Sequence, residues 1–397
     1  MLAITGGKVM TITQGTFEKG TVLVEGGRIA AVGRDISIPA GTEVIDASGK
    51  VVLPGLIDAH SHLAVFGEPS TWAAADGNEV TNPVTPQLRG IDSLNPNDPA
   101  IADVVAAGVT AVYTGPGSAN IIGGTGMVIK LRGKTAEEMV LPGTEGMKMA
   151  LGENPKRVYG EGKKQMPATR MGNAAVLREA LTQARNYLKK QERAKNDGKD
   201  LPDYDLKLEA LGLVLRREMK ARIHAHRADD IMTAIRIAEE FGLDFVIEHA
   251  TEGYLIADVL AEKGVCCTVG PLLMSRGKME LERVTLKNVG LLAKAGVKVA
   301  IQVDTTSNTK WLPLHAGLAV REGMSEEEAF RAVTINPAEI LGVDHRLGSL
   351  EVGKDADIAI FDGHPFCTTT KAEMVFIDGR RVFSLREEER GNKLSCC

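Results

Sequence analysis

Two histidines one residue apart, His60 and His62, close the apolar run Leu53-Pro-Gly-Leu-Ile-Asp-Ala-His-Ser-His. Side chains alternate along a strand, so on an extended segment both rings point to one side and can chelate a single metal ion. A lone His-x-His is a weak signal, but three later apolar runs end in residues of the same kind. Ile223-His224-Ala-His226 closes one, Ile247-Glu-His249 a second and Ala300-Ile-Gln-Val-Asp304 a third. Imidazole and carboxylate are borderline nitrogen and oxygen ligands that suit zinc, iron, manganese or nickel. Such a set leaves the open coordination positions that catalysis at a metal requires. His226, two residues beyond His224, shares its face if the chain is still extended, and is a candidate to orient the site or hydrogen-bond a substrate carbonyl.

Strand ends that share one site must lie at one edge of one sheet. From about Pro54 to residue 345, apolar β-like runs alternate with helical patterns at 229–241, 253–263 and 286–295, each followed by a glycine suited to a C-cap. Alternation of this kind implies a parallel sheet, and residues 55–345 have the length of a (β/α)8 TIM barrel, whose active sites gather at the carboxyl ends of the strands. Counted along the chain, His60 and His62 follow the first strand, His224 the fifth, His249 the sixth and Asp304 the eighth. Residues 1–54 read as short β segments broken by glycine turns, and β patterning returns after His345. Each terminal piece is small for a core of its own, so 1–54 and 346–397 are expected to form one composite β-sandwich domain. A charged stretch at about 173–220, with Lys189, Lys190 and Lys199, reads as a helical insertion with a solvated face. The glycines of Ile121-Ile-Gly-Gly-Thr-Gly-Met fit no phosphate-binding fingerprint and read as a tight turn.

Composition narrows the partners. The 397 residues are 44% hydrophobic and 25% charged, the usage of a folded globular protein. Forty-seven basic against 52 acidic residues give a net charge of −5, so no overall field draws in nucleic acid or anionic lipid. No uncharged apolar run reaches membrane-spanning length, and the start lacks the pattern of a signal peptide. A cytoplasmic homo-oligomer acting on a small molecule is expected. Of five cysteines, Cys266-Cys267 and Cys396-Cys397 are adjacent pairs and Cys367 stands alone, which fits reduced thiols. The terminal Cys-Cys has no polybasic flank and is not expected to carry lipid.

The order His-x-His, His, His, Asp on strands one, five, six and eight resembles the amidohydrolase superfamily over nearly the whole chain. Arg346-Leu-Gly-Ser-Leu-Glu-Val-Gly-Lys-Asp-Ala-Asp-Ile and Asn336-Pro-Ala-Glu-Ile-Leu-Gly are similar to its imidazolonepropionase-like and prolidase-like members. That resemblance implies His60, His62, His224, His249 and Asp304 as metal ligands, Asp304 also as proton carrier, and cleavage of an amide-type C–N bond in a peptide, N-acyl amino acid or cyclic amide. It implies one or two divalent ions, most simply zinc, activating water for hydrolysis, and leaves three alternatives for the middle strand: a carbamylated Lys148 bridging two ions, Glu153 on a single ion, or neither. Arg276 and Arg227 are candidate anchors for a substrate carboxylate, with Tyr159 and Arg170 weaker ones. His315, His345 and His364 are expected to be structural or neutral. The alternatives are a deaminase of the same fold and a catalytically inactive scaffold. Deaminases of this fold place Glu three residues after the strand-five histidine, where this chain has Arg227.

Overall fold

The computed structural model describes residues 1–386. The central sheet is a nearly closed barrel of eight strands in chain order: Leu56–Ser61, Val109–Thr114, Ile122–Lys130, Gly146–Ala150, Lys220–Ala225, Phe245–His249, Cys267–Val269 and Val299–Ile301. All residues of the first four are buried, as strands covered on both faces require. Beyond their ends the eighth and first strands meet: Asp304 N–H donates to His60 O at 3.3 Å and His62 N–H to Thr305 O at 3.0 Å.

The sheet is not parallel throughout, which corrects the expectation from the alternating pattern. The third strand runs antiparallel to both neighbours. Only residues 115–121 join it to the second, too few for the crossover of a dozen or more residues that a parallel pair needs. The glycines of 121–127 belong to this strand and form no turn. A Cβ on Gly126 would lie 2.6 Å from Thr114 O, and Gly124, at φ +109°, would clash with Leu88 O. Glycine here serves close backbone approach, a use that sequence inspection confuses with a turn.

Outside the barrel, helix Ala228–Phe241 begins with Asp229 and Asp230 in its first turn and ends on left-handed Gly242. The charged stretch forms helix Arg170–Asp197, capped by Thr169 and Gly198, with helix Leu206–Leu215 packed on it. Leu177, Leu181, Ala184 and Tyr187 face inward while Lys189, Lys190 and Lys199 are exposed. Among the described residues no helix is long and apolar enough to cross a membrane.

Both chain ends contribute to a second eight-stranded sheet. Leu2–Met10 pairs with Thr16–Glu25 and Val51–Pro54, and Ile358–Phe361 from the far end pairs with Val51–Pro54. Its core holds Ile4, Val22, Ile29, Val52, Ile358 and Phe376. Lys130, at the end of the third barrel strand, is buried among Asp355, Asp357 and Asp378 at 2.8, 3.0 and 2.5 Å, tying barrel to sheet. Cys266, Cys267 and Cys367 are free thiols. Cys396 and Cys397 lie outside the described residues.

Candidate metal centre

The barrel brings the strand-end residues together as two facing groups. His60, His62 and Asp304 form one and His224, His226 and His249 the other, each with ligand atoms within 4.8 Å of one another. Asp304 Oδ1 joins them, lying 2.9 Å from His60 Nε2, 3.3 Å from His62 Nε2 and 3.9 Å from His249 Nε2. His249 and Asp304 both have left-handed backbone, at φ 71° and 60°. Non-glycine residues are held there only where surroundings fix them, as at functional sites.

Neighbouring groups orient the rings. His62 Nδ1 lies 2.9 Å from Gly115 O and His249 Nδ1 2.8 Å from Gly270 O. A nitrogen facing a carbonyl must carry the proton, so each Nε2 presents a lone pair to the site. His226 Nδ1 is paired with Thr251 Oγ1 at 2.7 Å. Neither ring nitrogen of His224 has a hydrogen-bond partner, although the residue is buried. A buried polar group left unpaired is costly, and a cation is the partner that this donor set fits.

Electrostatics favour the ligand forms. Burial first, then neighbouring positive charge from His249, Lys278 and Lys148, holds His224 well below its ordinary pKa. His226 is lowered in the same way, and burial takes His249 to about 4. All three are therefore neutral near pH 7. Burial would raise Asp304, but His249, His60 and His62 outweigh it and hold the carboxyl well below its usual range. At His60 burial acts downward, yet Glu248 and Asp304 prevail and raise it.

Lys148, almost fully buried on the fourth strand, pairs with Glu248 and stands 3.5 Å from His60 Nε2. Glu153 lies outside both groups: its N–H donates to Glu280 Oε2 and its own Oε2 accepts from the Glu280 N–H. The arginine candidates are also engaged elsewhere. Arg276 is exposed and donates to Glu282 O, Arg227 pairs with Asp229, and Arg170 pairs with Asp230. Tyr159 is buried against Asn120. Of the remaining histidines, His315 is buried beside the Leu272 N–H and His364 faces Glu326.

Several groups at the site were not singled out from sequence. Glu248 is completely buried, 3.0 Å from His60 Nδ1 and 2.8 Å from Arg222 Nε. Arg222 also donates to Ala59 O at 2.6 Å and lies 3.8 Å over the Tyr113 ring. Its signal was available, because Arg222 and His224 alternate along one strand and His226 follows its last residue. Lys278 and Glu280 come from the loop after the seventh strand, where no periodicity marks them.

A model of the amidohydrolase family matches residues 51–383. The chain is 30% identical over 392 residues to amidohydrolase tasK of Hapsidospora irregularis, an alignment that takes in 92% of this chain and 40% of that relative's length. With an imidazolonepropionase of Geobacillus sp. (strain WCH70) it shares 27% identity over 388 residues, 87% of this chain and 84% of the relative. The crystal structure of an amidohydrolase from Thermotoga maritima MSB8 is similar at a TM-score of 0.93 and 47% identity, covering 97% of this chain and all of that one.

Proposed function

On the premise that this chain belongs to the amidohydrolase family, we propose that it hydrolyses an amide-type C–N bond in a small polar substrate with the help of one or two divalent ions, most simply zinc. The observation that carries this reading is the pair of facing three-residue groups at the carboxyl end of the barrel. Divalent ions held there would polarise the scissile carbonyl and lower the pKa of water. Asp304, ionised and 26% exposed at the mouth, is the base placed to take a proton from water and pass it to the leaving nitrogen. His62 and His249, fixed through their Nδ1 atoms, keep their Nε2 lone pairs aimed inward. Lys148 is the fourth-strand residue that stands beside the first group, and carboxylation would turn its amine into an oxygen donor there. Lys278, on the loop after the seventh strand beside the second group, is the cation that would meet a substrate carboxylate once released from Glu280, in the role expected from sequence of Arg276 and Arg227.

The test is a screen of metal-loaded protein against N-acyl amino acids, dipeptides, cyclic amides and aminopurines. Release of an amine, or ring opening, from one of the first three groups is expected. Turnover confined to aminopurines, with ammonia as product, would make the protein a deaminase.

A further inference from the structure

Glu280 has no part in the chemistry above, yet it is completely buried and aimed at the second histidine group. Its Oε2 is fixed by the Glu153 N–H at 2.9 Å. That leaves Oε1 facing His226 Nε2 at 3.5 Å and His224 Nε2 at 4.0 Å. The space between these acceptors is filled by a cation from the chain itself. The Lys278 ammonium lies 2.5 Å from Glu280 Oε1, 3.3 Å from His226 Nε2 and 3.2 Å from Asn154 Oδ1. The acceptors are pre-set for it: Thr251 occupies His226 Nδ1, and Ser118 takes the Asn154 amide nitrogen. An ammonium is a compact point charge, so its seat marks where another cation would be stabilised. The unpartnered Nε2 of His224 lies 4.0 Å from the Glu280 oxygen that lines that seat.

We propose that Glu280 is a further ligand to a divalent ion held by the group of His224, His226 and His249, and that Lys278 takes that ion's place when it is absent. Two cations a few ångströms apart in a buried pocket repel strongly, so ion and ammonium exclude each other. Lys278 can withdraw, because its side chain is 19% exposed on a loop that borders solvent. The seat thereby distinguishes two ions that the strand-end ligands alone would treat alike: one on His60, His62 and Asp304, beside which the Lys148 ammonium is paired with Glu248, and one on the group of His224, His226 and His249 with Glu280 added, where the ion must displace the Lys278 ammonium from Glu280 itself.

The inference rests on the metal-dependent reading above. It is tested by equilibrium dialysis of metal-free protein against Co(II), reading bound ions per chain and the visible absorption of the bound cobalt. Wild type is expected to take up two ions with unequal affinities. E280Q should retain the tighter ion and bind the weaker one at least about tenfold less well, the scale set by loss of a group that supports a metal site. K278M should bind the weaker ion more tightly than wild type. It should also show a larger rise in melting temperature on adding cobalt, because the apo form buries an uncompensated carboxylate. Unchanged affinities in E280Q, or weaker binding of the second ion in K278M, would overturn the assignment. K278M decides the matter alone should E280Q not fold. A wild type that binds one ion refutes this inference only, whereas one that binds none refutes the metal-dependent reading as well.

Discussion

Replacing Asp304 with Asn will lower kcat/KM on the amide identified by the substrate screen by about 10²- to 10⁴-fold, the range contributed by a positioned acid or base. Asn keeps the shape and tolerates the left-handed backbone at this position, so the Asp304 N–H bond to His60 O and the barrel seam it closes should survive. What is lost is the charge that faces three imidazoles from one oxygen. Steady-state kinetics with a circular dichroism control reads the effect. A loss below tenfold in a normally folded variant would remove Asp304 from the proton transfer.

The second large effect is on stability. Glu248→Leu leaves Lys148 and Arg222 buried in the barrel without their shared anion, and takes from His60 the carboxylate that most raises its pKa. Those three groups hold Glu248 well below the usual carboxylate range although burial acts to raise it. Removing one partner of a buried ionic group typically costs about 3–5 kcal/mol, most of it the penalty for the charges left behind. Urea unfolding of the metal-free protein should show a loss of that size. The double variant Glu248→Leu with Arg222→Met should recover part of it, because one stranded charge is also removed. A single-variant loss under about 1 kcal/mol would mean that water or rearrangement already compensates these charges.

The part of the centre that was legible in the sequence is the part governed by strand period. His60 and His62, and likewise His224 and His226, fall on shared faces because side chains alternate, and apolar runs end where the barrel opens to solvent. Arg222 obeys the same rule and was overlooked only because a basic residue inside an apolar run reads as an interruption. The third strand was hidden for a different reason. Its glycines at 123, 124 and 126 carry no β signal, since they are present to let the neighbouring chain come close. Glu248 was hidden beside His249, because alternation places adjacent residues on opposite faces. The left-handed turn at His249 breaks that rule and lets both carboxylate and ring reach His60. Loop groups such as Lys278 and Glu280 obey no period, so only the folded chain shows that they face the histidines. Arg276 illustrates the converse: chemically apt and near in sequence, it is exposed with its guanidinium donating to a local carbonyl.

The most direct measurement is anomalous X-ray diffraction, at the absorption edge of the ion, from crystals of the protein loaded with zinc or cobalt. The expected result is a peak about 2 Å from His60 Nε2, His62 Nε2 and an Asp304 oxygen, the ligand distances of a bound transition metal. A metal-loaded crystal with no peak among His60, His62, His224, His249 and Asp304, or with its peaks only at surface residues, would contradict a metal centre at the mouth of this barrel.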